Sequence, residues 1–87
     1  MRSFDYVITN PVGIHARPAG DLVKFAKGFD SDITITNLKN DKTADAKKLF
    51  AVLSIAVMCQ DSVKVTIEGS DEDTAFEQLM EHFAAKL

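Results

Sequence analysis

Apolar and polar residues alternate along four short stretches of the chain, and a period of two is typical of strands with one buried face. The stretches are residues 4–9, 33–36, a short one near Thr43, and 63–67. Four polar residues lie between the second and third stretches and suit a turn between two antiparallel strands: Asn37, Lys39, Asn40 and Asp41. We therefore predict four strands, of which the middle two form a hairpin.

Three other stretches carry apolar residues at helical spacing. The first begins at Ala16 and stops at Gly28, with its apolar side chains on one face. The second, residues 47–57, is too apolar to fill one narrow stripe and predicts a short helix. The third begins at Ser70 or Asp71, where an acidic first turn suits the positive end of a helix, and apolar residues then recur every four positions.

The predicted order is β-α-β-β-α-β-α within one domain, residues 1–87, because a chain of 87 residues has too little interior for two cores. The apolar faces of half-buried strands and of amphipathic helices are buried against each other when all the helices cover one face of the sheet. We therefore predict an α+β fold, an open-faced two-layer α/β sandwich with four antiparallel strands and three helices on one face.

The composition, 46% hydrophobic and 26% charged, is that of an ordinary globular protein. A net charge of −3 argues against a generally basic surface, so we expect no nucleic-acid partner. The single cysteine, Cys59, cannot form an internal disulfide, which suits a reducing compartment. No apolar segment is long enough for a signal peptide or a bilayer span. We expect a cytoplasmic protein that does not insert directly into a membrane.

Residues 13–19, with the sequence Gly-Ile-His-Ala-Arg-Pro-Ala, lie where the first strand ends and the first helix begins. The N–H groups at a helix start lack intrahelical acceptors and the dipole is positive there, so an anion is stabilised. His15 stands at this start, where the positive end disfavours an imidazolium and leaves a ring nitrogen free to attack phosphorus. Arg17 offers a guanidinium fork suited to phosphate oxygens. Taken singly, His15 equally suits a surface cap, and Arg17 a solvated charge.

With this motif at a strand-to-helix junction, the sequence resembles the HPr family, the histidine-containing phosphocarriers of the bacterial phosphoenolpyruvate-dependent sugar phosphotransferase system. The resemblance implies that His15 accepts a phosphoryl group on Nδ1 from enzyme I and donates it to the IIA domains of sugar permeases. Arg17 and the backbone N–H groups of Ala16 and Arg17 would hold the phosphoryl group. Such a protein is a phosphocarrier and not an enzyme, and it needs no cofactor. We expect it to be a monomer.

A carrier that meets several partners needs an exposed, partly apolar surface beside its reactive group. By resemblance, Leu49, Phe50 and Leu53 align with family positions that dock enzyme I and IIA, although Leu49 and Leu53 equally suit the core. Four residues recur on one face of the first helix and would attract acidic partners: Arg17, Gly20, Lys24 and Lys27. Lysines on a merely solvated helix face would show the same spacing.

Three positions depart from the family pattern. Lys48 aligns with the serine that a dedicated kinase phosphorylates in HPr of many Gram-positive bacteria, so the regulatory serine is absent. Ser54 is not its equivalent, and Lys48 instead adds a cation to the expected partner surface. Val12 replaces a polar residue that can bond near the helix start, and Asp21 places a negative charge one turn from Arg17.

The remaining candidates for chemistry are few. We expect His82 to complement the negative end of the third helix, Cys59 to be incidental, and no metal site, because the spacing of metal-ligand residue types is wrong. The alternative function is that of a divergent HPr paralogue, a nitrogen-related or transcriptional binding module, for which Lys48 and Asp21 leave room. A kinase or phosphatase is disfavoured because the sequence lacks a nucleotide loop and a catalytic carboxylate constellation.

Overall fold

The elements of the chain follow the predicted β-α-β-β-α-β-α order in a computed structural model that describes residues 1–87. They are β1 (Arg2–Val7), α1 (Ala16–Ala26), β2 (Asp32–Asn37), β3 (Lys42–Asp45), α2 (Leu49–Ser54), β4 (Ser62–Glu68) and α3 (Glu72–Lys86). No helix is both long enough and apolar enough to cross a membrane.

The strands form one antiparallel sheet in the order β1-β4-β2-β3. Val65 in β4 lies opposite Phe4 in β1 and Ile35 in β2, and this row belongs to the face that packs on the core. The neighbouring row, in which Lys64 lies opposite Asp5 and Thr36, belongs to the other, polar face. The open-faced two-layer sandwich is therefore confirmed, with its helices on the apolar side of the sheet.

Aromatic rings join α3 to β1. The ring of Phe83, which is buried, lies edge-on to Phe4 at 5.5 Å and to Tyr6 at 5.6 Å between centroids. At the start of α3, the Asp71 carboxylate accepts hydrogen bonds from the N–H of Asp30 at 2.8 Å and from the N–H and hydroxyl of Ser31. These bonds fasten the loop after α1 to the start of α3.

The second helix is shorter than predicted, because residues 47–57 contain only six helical residues. The helix ends at Ser54 with Ile55 as its C-cap, and Ala56 follows with a φ of +53°, a left-handed conformation that stops the helical hydrogen bonding. Ile55 and Val57 are buried all the same, so part of the apolar run fills the core from a loop. The first strand also ends earlier than predicted, at Val7, since the Ile8 N–H bonds to the Asp61 carbonyl beyond the strand ladder.

Helices α1 and α2 lie side by side and run in opposite directions. The loop before α1 meets the chain after α2 where the Ile14 N–H donates to the Val57 carbonyl at 3.1 Å. At the other end, the ammonium group of Lys47 donates a hydrogen bond to the Phe29 carbonyl at 2.7 Å. Lys47 lies just before α2 and Phe29 just after α1. The start of α1 and the end of α2 are therefore neighbours, and so are the end of α1 and the start of α2.

Candidate functional site

His15 is the N-cap residue of α1, with φ −93° and ψ −174°, and its side chain is exposed. Its backbone carbonyl accepts the Ala19 N–H at 2.8 Å and so begins the helix. The imidazole itself makes no capping hydrogen bond. The backbone of His15 is thus fixed by the helix, while both ring nitrogens stay available for chemistry.

The first turn of α1 presents unpaired hydrogen-bond donors beside His15. The N–H groups of Ala16 and Arg17 donate to no acceptor in the protein, and Pro18 has no N–H. No acidic side chain occupies this turn. Two free N–H groups at the positive end of a helix form a corner suited to an anion such as a phosphoryl group.

A tight loop between β1 and α1 determines where His15 is held. Gly13 has a φ of +66°, and its N–H donates to the Asn10 carbonyl at 2.9 Å. A Cβ at Gly13 would lie 2.5 Å from the Val57 carbonyl oxygen and 2.8 Å from the Met58 Cα, so only glycine fits. The buried side chain of Ile14 then anchors the residue before His15. These contacts hold the loop before α1 against the chain that leaves α2.

Arg17 is exposed and lies in the same turn as the two free N–H groups. It takes part in none of the three ion pairs of the protein. Its guanidinium is therefore free to contact phosphate oxygens, as a planar fork does well. The first turn of α1 brings together the whole predicted phosphate site: His15, Ala16 and Arg17.

An apolar surface flanks this site. Phe50 of α2 is 83% exposed, Leu49 is also exposed, and Leu53 is partly buried against the core. Leu53 therefore packs on the core, as its alternative interpretation predicted, but part of its side chain is still exposed to solvent. Met58, which follows α2 next to Gly13, is 60% exposed. Sequence reasoning missed Met58 because it lies one residue beyond the predicted helix, and its neighbour in space, Gly13, is far from it in the sequence.

The predicted cationic face of α1 is solvent-exposed. Lys24 and Lys27 are exposed, as is Lys48 at the start of α2, and none of these lysines forms an ion pair. Gly20 is half-buried, and a Cβ placed there would meet nothing within 4 Å. Asp21 lies on the flank of α1 that faces α3, in a groove of about 690 Å³ shared with Lys24. The face therefore carries an excess of unpaired positive charge.

His82 does not have its predicted role at the end of α3. Its ring stacks on Phe25 of α1, with centroids 4.6 Å apart and 20° between the planes. Burial lowers the pKa of His82, although the nearby Asp21 carboxylate acts in the opposite direction, and Nε2 has no hydrogen-bond partner. The ring therefore packs against α1, and its unpartnered Nε2 does not donate to a carbonyl at the end of α3, so His82 does not cap this helix as predicted.

Few other residues suit chemistry. The Cys59 Sγ lies 3.9 Å from the Thr9 carbonyl oxygen, and the structure contains no group of three or more histidine, cysteine or carboxylate side chains that could hold a metal ion. The candidate site is thus an exposed imidazole at a helix start, beside unpaired donors from the backbone and from one guanidinium.

Known proteins share both the sequence and the fold. The protein-family profile described as PTS-HPr, PTS HPr component phosphorylation site, matches residues 2–85. The chain is 35% identical to phosphocarrier protein HPr of Mycoplasma capricolum, over 91% of this chain and 86% of that protein. It is 41% identical to phosphocarrier protein HPr of Vibrio cholerae, over 84% of each. The crystal structure of HPr-C-His from Thermoanaerobacter tengcongensis superposes with a TM-score of 0.91 at 34% identity, covering 99% of this chain and 94% of that one. The chain therefore belongs to the HPr family, the phosphocarriers of the phosphotransferase system.

Proposed function

We propose that His15 accepts a phosphoryl group from phosphorylated enzyme I and donates it to the IIA domains of sugar permeases. The observation that carries this proposal is the pairing of an uncommitted imidazole with two unpartnered N–H groups at one helix start. A nucleophile and an anion site in one turn are what a phosphoryl acceptor needs.

The transfer step follows from this arrangement. The Nδ1 lone pair of His15 attacks phosphorus, an N–P bond forms, and the bond from phosphorus to the donor breaks with its electron pair left on the donor. The N–H groups of Ala16 and Arg17 and the Arg17 guanidinium offset the negative charge on the phosphoryl oxygens during transfer. The same steps in reverse order pass the group to a IIA domain.

The protein acts in this scheme as a carrier and not as an enzyme, because each half-reaction needs a partner that supplies the second reacting group. It requires no cofactor, and its place of action is the cytoplasm, where a lone free cysteine stays reduced. The partner surface comprises the residues that lie exposed or half-exposed along α1 and α2: Gly20, Lys24, Lys27, Lys48, Leu49, Phe50 and Leu53.

The direct test is incubation with phosphoenolpyruvate and enzyme I, followed by mass spectrometry of the intact protein. We expect the mass of one acid-labile phosphoryl group, which His15→Ala abolishes. His82→Gln is the matched control, because it removes the other histidine of the chain and should leave labelling intact. Labelling that survives His15→Ala, or a wild type that takes no label, would refute the proposal.

Arg17 provides a second, graded test. Arg17→Ala should slow labelling, and Arg17→Lys should restore it only in part, since lysine keeps the charge but loses the planar fork. Equal rates for all three proteins would remove Arg17 from the site.

A further inference from the structure

A turn with the sequence Asn-Pro-Val-Gly leads from β1 toward His15. Asn10 occupies its first position and Pro11 its second, and both residue types are favoured at these positions of a β-turn. The Asn10 carbonyl accepts the Gly13 N–H at 2.9 Å. The side-chain oxygen of Asn10, Oδ1, accepts the Val12 N–H at 3.1 Å. Asn10 therefore shapes the path by which the chain enters the candidate site.

Asn10 also binds the end of α3. Its side-chain Nδ2 donates to the Lys86 carbonyl at 3.2 Å, and its backbone N–H donates to a backbone oxygen of Leu87 at 2.8 Å. The Thr9 N–H donates to the same oxygen at 2.7 Å. The last carbonyls of a helix have no donor within the helix, so these bonds supply the donors that α3 lacks. Because the side chain of Leu87 is buried, this end of α3 is itself held in place.

The side chain of Asn10 thus joins two parts of the protein. Its oxygen faces an N–H of the turn and its nitrogen faces a carbonyl of α3, so both bonds require the same orientation of the amide. An amide has both a donor and an acceptor, whereas a carboxylate has only acceptors. On the other side, the Ile14 N–H donates to the Val57 carbonyl. The segment before His15 is therefore held from two sides, by α3 and by the chain that leaves α2.

We propose that Asn10 is a positioning residue for phosphoryl transfer, because its amide fastens the turn before His15 to the end of α3 and so fixes the direction in which the imidazole meets phosphorus. This inference rests on the proposed function and deepens it. Attack on phosphorus requires the attacking and leaving atoms to be nearly in line, and a small displacement of the nucleophile slows transfer strongly. Asn10 forms no hydrogen bond with α1 or α2, which carry the partner surface. It therefore acts on the transfer step and not on partner binding.

Two substitutions of Asn10 test this role. Asn10→Ala removes both side-chain hydrogen bonds. Asn10→Asp has nearly the same shape and keeps an acceptor for the Val12 N–H, but it has no donor for the Lys86 carbonyl. Transfer from phosphorylated enzyme I is measured in single turnovers over a range of carrier concentrations, at a temperature where circular dichroism shows each variant to be folded. The measurement gives a maximal rate and a half-saturating concentration for each protein.

Asn40 is the matched control, because its side chain makes the same two kinds of hydrogen bond in the hairpin between β2 and β3. Its Oδ1 accepts the Lys42 N–H at 3.0 Å, and its Nδ2 donates to the Ile55 carbonyl at 3.2 Å. That carbonyl keeps a second donor, the side-chain amide of Asn37, when Asn40 is replaced. Asn40→Ala and Asn40→Asp therefore remove equivalent hydrogen bonds outside the turn that leads to His15.

We expect Asn10→Ala and Asn10→Asp to lower the maximal transfer rate by about tenfold and to leave the half-saturating concentration within about twofold of the wild type. The Asn40 variants should keep the wild-type rate. Both alanine variants should lower the folding equilibrium constant by about tenfold, so only the transfer rate distinguishes the two positions. In hydrogen exchange, the Ile14 N–H should exchange about tenfold faster in Asn10→Ala, although its own acceptor, the Val57 carbonyl, is unchanged.

Any of four results would overturn the inference: a wild-type maximal rate in Asn10→Ala, a wild-type maximal rate in Asn10→Asp, a fall of the same size in Asn40→Ala, or unchanged exchange of the Ile14 N–H. In all four, a wild type that still takes up phosphoryl on His15 leaves the proposed function standing. A wild type that takes up none refutes both proposals.

Discussion

Replacing Gly13 by alanine tests whether the loop that presents His15 is as tightly specified as the structure indicates. The native φ of +66° is in the left-handed region, which costs an L-residue about 1–2 kcal/mol. The new Cβ would also lie 2.5 Å from the Val57 carbonyl oxygen. That oxygen accepts the Ile14 N–H and cannot withdraw freely, so overpacking adds about 1–3 kcal/mol. We expect Gly13→Ala to lower the free energy of unfolding by about 2–5 kcal/mol.

Urea unfolding followed by circular dichroism measures this loss. With an m-value of about 2 kcal/mol/M, in the middle of the range for small proteins, the midpoint should fall by about 1–2.5 M with little change in slope. The folded fraction of the variant should also accept a phosphoryl group more slowly, because relief of the contact displaces the segment that ends at His15. A loss below about 1 kcal/mol would mean that the loop adapts easily and would refute the argument.

Gly20→Ala is the matched control, since it makes the same chemical change in the same region. Gly20 lies within α1, and a Cβ there meets nothing within 4 Å. Alanine in a helix interior should therefore stabilise the protein by about 0.5–1 kcal/mol. Opposite signs for the two variants would show that local geometry, and not the added methyl group, determines the result.

Two further predictions concern the docking surface and the pH dependence of stability. Phe50→Ala should raise KM for phosphoryl transfer, yet it should change the free energy of unfolding by less than about 0.5 kcal/mol, because the residue is 83% exposed. Met80→Ala, at a 43% exposed position of α3, is the control and should leave KM unchanged. Equal KM values for Phe50→Ala and the wild type would exclude Phe50 from docking. Hydrogen bonds from the Ser31 hydroxyl and then from the Asp30 N–H lower the pKa of Asp71 below 3.8. Its stabilising effect is therefore complete above pH 3.8 and is lost as the pH falls through the lowered pKa. In Asp71→Asn, the urea midpoint of unfolding should therefore fall less steeply at acid pH than in the wild type. An equally steep fall in both proteins would contradict the stabilising role of the Asp71 carboxylate.

The order of elements could be predicted because each carries its own periodicity. In β4, buried Val63, Val65 and Ile67 alternate with more exposed residues, and this pattern alone defines the strand and its inner face. The position of residues 13–19 at a helix start followed in the same way from the change of period. The roles of His15 and Arg17 in phosphotransfer remain predictions that the labelling experiments address.

The extent of α2 could not be predicted, because hydrophobicity records burial and not backbone conformation. Ile55 and Val57 are as buried as core helix residues, yet the left-handed φ of Ala56 places them outside the helix. Asn37 helps to hold that end, since its side-chain amide donates to the Ile55 carbonyl at 2.9 Å. The stacking of His82 on Phe25 could not be predicted from the sequence either, because it depends on how α1 and α3 pack against each other.

The openness of the first turn of α1 has a thermodynamic consequence for an intermediate that must be both made and consumed. A phosphoryl group on His15 would be held by two N–H groups and one guanidinium in contact with water, where each hydrogen bond contributes only about 0.5–3 kcal/mol net. A buried pocket would bind the group more tightly and lower its transfer potential by the same amount. On the proposed function, we expect so shallow a site to keep the two exchange equilibria close to balance, so that flux through the carrier reverses when donor and acceptor levels change.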